Sequence, residues 1–276
     1  MKLPISARRW LALVPLLVPA AAVPSAGKSL SPPPALPGAV PVAAGAGDQG
    51  RPGQGDGDLA GLLAQTAPAA SPQVLQLAAR AMSCALRHPE FGVDPQRLGV
   101  IDYSRPSTEP RLWVFDLARH KLLFEEWVAH GRNSGENLTT RFSNRDGSYM
   151  TSLGGFTAQE TYMGGNGYSL RLRGLEPGFN DHARDRAIVI HGAPYVNPSA
   201  AKLQGRLGRS LGCPAVRPVV ARQLIDSIRG GTFVFAYYPD RDWLQRSQLL
   251  SGECAGAGAA APVIAANRTA ATARLR

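Results

Sequence analysis

Residues 27 to 70, from "GKSLSPPPALPGAVPVAAGAGDQGRPGQGDGD" onward, are so rich in proline, glycine and alanine that ordering them costs more chain entropy than burying their few apolar side chains recovers. From about Arg246 the chain returns to alanine-rich low complexity, where Arg268, Arg274 and Arg276 follow Glu253 with no acid between them. These two stretches confine the fold to residues 71–245, the size of one domain with one core. They predict a disordered linker over 23–70 and a basic tail over 246–276.

The first residues, "MKLPISARRWLALVPLLVPAAAV", set Lys2, Arg8 and Arg9 before an apolar run, Leu11 to Val18, and a small-residue site at Ala20 to Ala22. That order reads as a signal peptide over 1–22. A membrane anchor needs roughly 20 unbroken apolar residues, and Pro15 and Pro19 interrupt this run. Arg8-Arg9 also permits twin-arginine export, although Ala7 and Trp10 flank the pair. The expectation is an exported chain in the periplasm or cell envelope, with no stable membrane span after cleavage. The formal charge of +10 favours polyanions such as wall polymers, anionic lipid or acidic substrates. Nucleic acid is excluded as a partner, because export contradicts it and no aromatic-basic stacking motif is present.

Within the middle, Ser71-Pro72 offers an N-cap and a first-turn proline, and Val74, Leu75, Ala78, Met82, Ala85 and Leu86 recur at helical spacing. Short apolar runs follow. "RLWVFDL" and "KLLFEEWVAHG", separated by "ARH", suggest a hairpin; "RLGVIDY", "YSLRLRGLE", "RAIVIHG" and "GTFVFAYYP" read as further strands. "VRPVVARQLIDSIRGG" reads as a helix closed by glycine. The fold class is therefore mainly β with a few helices.

Three cysteines is an odd number, so in an oxidising compartment at least one thiol stays free or pairs with another molecule. Cys84, in the helical segment, and Cys254, in the tail, either bridge each other or stay idle, and Cys213 is the odd one out. It stands in "RSLGCPAVRP", where Gly212 permits a tight turn and Pro214 biases Cys213 away from the helical region. A loop thiol is thereby expected, with the amides of Leu211, Gly212 and Cys213 free to converge on a substrate oxygen. A strand from Arg186 to Ile190 runs into His191 and Gly192. A thiol is a weak nucleophile until a histidine or a helix N-terminus helps to remove its proton. Spacing alone is equally compatible with a buried structural cysteine and a core histidine.

The whole segment is more specific. "IHG" closing a strand and "GRSLGCPAV" after it resemble the active-site motif of L,D-transpeptidases of the YkuD type, approximately His-Gly, a gap, then Ser/Thr-His-Gly-Cys. The matching residues are His191, Gly192, Ser210, Gly212 and Cys213. The likeness is strongest over residues 133–240, where "GENLTTRFSN", "SLGGF" and "GYSLRLRGLEPGFND" look like the murein L,D-transpeptidase catalytic-domain branch. The resemblance implies a YkuD-like β-sandwich or barrel-type domain and a cysteine acyltransferase acting on peptidoglycan stem peptides. In it Cys213 attacks the diamino acid carbonyl at stem position three, D-alanine leaves, and an amine of a second stem completes a 3–3 cross-link. His191 is implied as the base, oriented by the Gly192 carbonyl, with no metal or other cofactor.

Two positions depart from the family pattern. Leu211 stands where the second histidine does, and Ala215 where an Arg or Asn often follows the cysteine. Arg217 is a candidate replacement for that guanidinium, and the longer gap before Ser210 points to an inserted turn at "NPSAAKLQG". Stem peptides are anionic, so Arg206, Arg209 and Arg217, with Ser210 and Tyr195, are the candidate substrate contacts. Asn133, Ser134 and Asn137 read as a solvated loop, and His88, His120, His130 and His182 as surface or turn residues without metal-ligand spacing. The same thiol with water as acceptor would make an L,D-carboxypeptidase or peptidoglycan hydrolase; a catalytically inactive wall-binding module is the non-enzymatic alternative.

Overall fold

The computed structural model describes residues 54–251. The expected signal peptide, most of the expected linker, and most of the expected tail, Cys254 included, lie outside the described residues. Among those described, no helix is long and apolar enough to cross a membrane.

Two helices open the fold, α1 (Gln54–Thr66) and α2 (Pro72–Leu86). Strands β1 (Asp94–Asp102), β2 (Leu112–Asp116), β3 (Lys121–Glu126), β4 (Gly154–Gly164), β5 (Gly167–Gly174) and β6 (Val189–Gly192) follow. The chain then forms α3 (Pro198–Gln204), β7 (Ala215–Val216), α4 (Pro218–Ile228), β8 (Thr232–Tyr237) and α5 (Arg241–Arg246). All eight strands join one sheet in the order β3-β2-β1-β8-β4-β5-β6-β7. The pairs β1·β8 and β6·β7 are parallel and the others antiparallel. The fold is mainly β with few helices, as the apolar runs predict.

The sheet comes close to closing on itself. Past the end of β3, Ala129 bridges Ala215 of β7, its amide donating to the Ala215 carbonyl at 2.8 Å, and Gly131 bridges Ser210. The two ends of the strand order therefore meet at the loop that carries Cys213.

Period-two alternation divides the interior. In β8 every side chain is buried: Phe233, Phe235 and Tyr237 face a cluster with Leu75, Met82, Trp113 and Trp243, while Val234 and Ala236 face one with Leu112, Phe156, Ile190 and Leu224. A strand covered on both faces is apolar throughout. The first cluster is roofed by α1 and α2, the second by α4.

Both expected domain boundaries move outward. Residues 54–70, assigned to the linker, include α1, and Leu63, Ala67 and Ala70 lie in the first core. Leu249 and Leu250, assigned to the tail, are buried in the same core. Composition averaged over 27–70 hid the short apolar face that α2 covers. Cys84 in α2 is disulfide-bonded, and Cys213 is a free thiol.

Candidate active site

The strand that carries the histidine is β6, and it begins three residues later than the sequence suggests. Residues before it turn, with the Ile188 amide bonded to Ala183 O at 2.9 Å and Ala187 at φ 52°, a left-handed conformation that ends extension. His191 therefore lies inside β6, paired with Ser169 of β5 on one side and Ala215 of β7 on the other. Its ring sits 3.0 Å, through Nδ1, from the carbonyl of Gly192. A carbonyl only accepts, so Nδ1 carries the proton and Nε2 keeps a lone pair. Burial pushes the His191 pKa down, which holds the ring neutral and ready to accept a proton.

Cys213 lies on the loop between α3 and β7, two residues before the register partner of His191. The thiol is buried and donates to Ala187 O at 3.7 Å. Burial raises its pKa, against the pull of the Val189 amide and the Arg186 guanidinium, so the resting sulfur carries its proton. A histidine-lowered thiol was expected; in this structure no hydrogen bond joins Cys213 to His191, and desolvation is the larger effect. Catalytic hydrogen bonds often tighten only around bound substrate.

The turn before the thiol depends on its glycine. Gly212 has φ 129°, and a Cβ there would stand 2.9 Å from Met150 O and 3.1 Å from Ile188 Cδ1. Ser210, expected to touch substrate, instead clamps this turn: its hydroxyl donates to Cys213 O at 2.6 Å and accepts from the Gly212 amide at 3.1 Å. Gly212 is thus already engaged as a donor. The amides of Leu211 and Cys213 donate to no protein oxygen among the described residues, so those two remain available for a developing oxyanion. The Cys213 amide also acts on its own sulfur, drawing the thiol pKa down against burial. The Leu211 side chain is exposed at the lip of the site.

A polar layer beneath the loop escaped sequence reasoning. Thr151 Oγ1 donates to Gly212 O at 3.2 Å and accepts from the Gly131 amide at 2.9 Å, while its own amide donates to Ser134 Oγ at 2.9 Å. Ser134 and His130, read as a solvated loop residue and a surface or turn residue, are both fully buried. His130 Nδ1 accepts from Arg111 at 2.8 Å and Nε2 faces Gly135 O at 3.3 Å. Burial and the Arg111 charge push its pKa down to about 3. Its backbone carbonyl accepts from the Ser210 amide at 2.9 Å, which ties this buried pair to the Cys213 loop. The signal available was "HGRNSG", whose small polar residues suit a turn closed by side chains.

The arginines separate into different roles. Arg217 makes a bidentate bond to the buried Glu126, at 2.8 and 2.6 Å, and lies 5.3 Å over the Trp127 ring; it pins α4 to the end of β3 rather than replacing a lost guanidinium. Arg206 and Arg209 share Glu136, at 2.8 and 2.6 Å. Arg209 also lines an open cleft of about 580 Å³ with Arg132, Glu136, Asn137, Leu138 and Arg141. This cleft borders the Cys213 loop, since the Arg132 amide donates to Ser210 O at 2.8 Å. Tyr195 packs against Gly208, and burial together with the nearby Cys213 raises its pKa to about 12. The "NPSAAKLQG" insertion is α3, capped by Asn197.

The sequence matches the family model YkuD_2, L,D-transpeptidase catalytic domain, over residues 66–237. The chain belongs to the L,D-transpeptidase catalytic-domain family. The match spans α2 through β8 and takes in both His191 and Cys213. No curated protein matches the chain. Among solved structures it is similar to an L,D-transpeptidase from Mycobacterium smegmatis, at 16% identity and TM-score 0.33, covering 52% of this chain and 59% of that one. It is also similar to an L,D-transpeptidase from Mycobacterium tuberculosis H37Rv, at 18% identity and TM-score 0.30, over 52% of this chain and 58% of that one. A third, an L,D-transpeptidase (Yku) from Stackebrandtia nassauensis, is 12% identical with TM-score 0.32, over 67% of this chain and 78% of that one. The chain thus spans less than two thirds of the two mycobacterial proteins.

Proposed function

We propose that this protein is an exported peptidoglycan L,D-transpeptidase that uses Cys213 as nucleophile and forms 3–3 cross-links between stem peptides in the periplasm or cell envelope. The observation that carries the reading is the tautomer of His191: with Nδ1–H spent on Gly192 O, Nε2 is left as a base on the strand beside the Cys213 loop.

The chemistry follows from these parts. The thiol proton passes to His191 Nε2 as sulfur attacks the diamino acid carbonyl of a tetrapeptide donor. The Leu211 and Cys213 amides receive the oxyanion. The protonated imidazole gives its proton to the departing amine of D-alanine, leaving a thioester. An acceptor amine then attacks the thioester, His191 takes its proton, and the thiol is restored as the new amide forms. The open cleft beside the loop, with Arg132, Arg141 and Arg209 against one glutamate, suits the carboxylates of a peptide stem.

The test is incubation of purified protein with a disaccharide-tetrapeptide, with mass analysis of products. Cross-linked dimers lacking one D-alanine are expected, and Cys213→Ala should abolish them while the melting temperature holds. Trimmed tripeptides alone would make it an L,D-carboxypeptidase. Full turnover by Cys213→Ala would overturn the mechanism. The absence of any covalent adduct on Cys213 with a carbapenem, together with retained murein binding, would leave the wall-binding alternative.

A further inference from the structure

Arg186 lies just before β6, and no sequence motif drew attention to it. Its guanidinium donates to Ser143 O at 2.7 Å, Ser152 Oγ at 2.6 Å, Ser148 Oγ at 3.2 Å and Met150 O at 2.7 Å. Every one of these acceptors is neutral. Arg206, Arg209 and Arg217 each have a glutamate within ion-pair distance, whereas among the described residues Arg186 has none. Its charge is fixed in place but not cancelled.

That charge stands beside the turn that carries Cys213. Arg186 Nη2 comes within 3.5 Å of the position a Cβ on Gly212 would take, so the missing side chain of Gly212 lets the guanidinium approach the residue next to the sulfur. The following residue, Ala187, holds the thiol through its carbonyl at 3.7 Å and is kept at φ 52° to do so. For a non-glycine residue such a conformation is strained and persists only where surrounding contacts enforce it; the four Arg186 bonds supply such contacts. One short segment thus binds the resting thiol with a carbonyl and sets a cation against the neighbouring Gly212.

We propose that Arg186 is the positioning and electrostatic partner of Cys213: its uncancelled guanidinium stabilises the sulfur as an anion once His191 has taken the proton. The inference rests on Cys213 being the nucleophile and adds the charge that the missing Cys213–His191 hydrogen bond does not supply. The direction of its action on the thiol agrees, since the guanidinium pulls the Cys213 pKa down against burial. The other titratable groups that act on the sulfur are Tyr103 and Tyr195, whose own pKa values are raised and which therefore stay neutral, while His191 stands on the neighbouring β6; the acid acting on Arg186 is the exposed Asp146.

The experiment is the rate of iodoacetamide alkylation of the full chain against pH, mapped to Cys213 by peptide mass, for wild type, Arg186→Gln, Arg186→Lys and Asp146→Asn. In this reaction the S–C bond forms and iodide leaves, so the rate follows the fraction of sulfur in the anionic form. Arg186→Gln should move the midpoint upward by about one pH unit and slow alkylation about tenfold at neutral pH. Arg186→Lys should keep most of the wild-type profile, because the charge survives even where some hydrogen bonds do not. Asp146→Asn removes the opposing charge without touching the core, and should move the midpoint down by a few tenths of a unit. A merely structural Arg186 would lower the melting temperature and leave the midpoint in place. An unchanged midpoint in folded Arg186→Gln overturns the proposal; where that variant does not fold, an unchanged midpoint in Asp146→Asn does. The readout needs no stem peptide. Loss of the proposed cross-linking with a shifted profile would therefore refute the function and keep this inference, and the converse would refute this inference alone.

Discussion

His130 makes the stability of the layer beneath the Cys213 loop dependent on pH. In the folded protein its pKa lies near 3, from burial and the adjacent Arg111 charge, against about 6.5 in an unfolded chain. Because the folded value is depressed, the unfolded state binds the extra proton more readily. The stability that His130 contributes is therefore complete above about pH 6.5 and is lost as pH falls toward 3. Each pH unit in that window costs about 1.4 kcal/mol, so from pH 7 to 4.5 the loss is about 2.5 kcal/mol, a sizeable share of an ordinary domain's 5–15 kcal/mol. His130→Gln keeps an acceptor for the buried Arg111 Nη2 but cannot titrate. Urea unfolding of both proteins at pH 7 and pH 4.5 isolates the difference, since the carboxylates common to both cancel. The variant should start less stable at pH 7 and lose about 2.5 kcal/mol less on acidification. Equal acid losses in the two proteins would show that His130 is not the group responsible, and that its burial with Arg111 does not exclude the proton.

Two further outcomes follow from the packing. A piece covering residues 71–245 lacks Leu63, Leu249 and Leu250 from the first core, worth about 5 to 9 kcal/mol at 1.5–3 kcal/mol each, and also lacks the Ser247 hydroxyl that bonds the buried Glu176; it should fail to show a cooperative melt, whereas residues 54–276 should show one. Gly212→Ala drives a Cβ to 2.9 Å from Met150 O at φ 129°, so the variant should stay folded by circular dichroism yet lose at least about tenfold in Cys213 alkylation, because the turn that presents the thiol is displaced; a wild-type rate would show that the turn tolerates a side chain.

Much of this protein is legible one residue at a time. The short apolar runs at 98–102, 112–116 and 232–237 fall in β1, β2 and β8 because a strand buried on both faces is apolar throughout, and the 3.6-residue spacing of Val74, Leu75, Ala78 and Met82 becomes the core face of α2 because helical periodicity is likewise a local property of the chain. "IHG" and "GRSLGCPAV" pointed to His191 and Cys213 through their resemblance to the L,D-transpeptidase motif, because spacing alone leaves a buried structural cysteine and a core histidine equally open. What the tertiary structure alone decided is which groups surround them. The closure of the sheet through Ala129 and Gly131 brings residues 130–152 under the Cys213 loop, a contact between segments some sixty to eighty positions apart that no local pattern encodes. That closure makes Ser134, Thr151 and His130 part of the layer beneath that loop, commits Arg217 to Glu126, and sets the uncancelled charge of Arg186 beside the turn that carries the thiol. Charge and polarity are written in the sequence, but whether an arginine meets a glutamate, a carbonyl or a sulfur depends on desolvation and distance, and those exist only once the chain has folded.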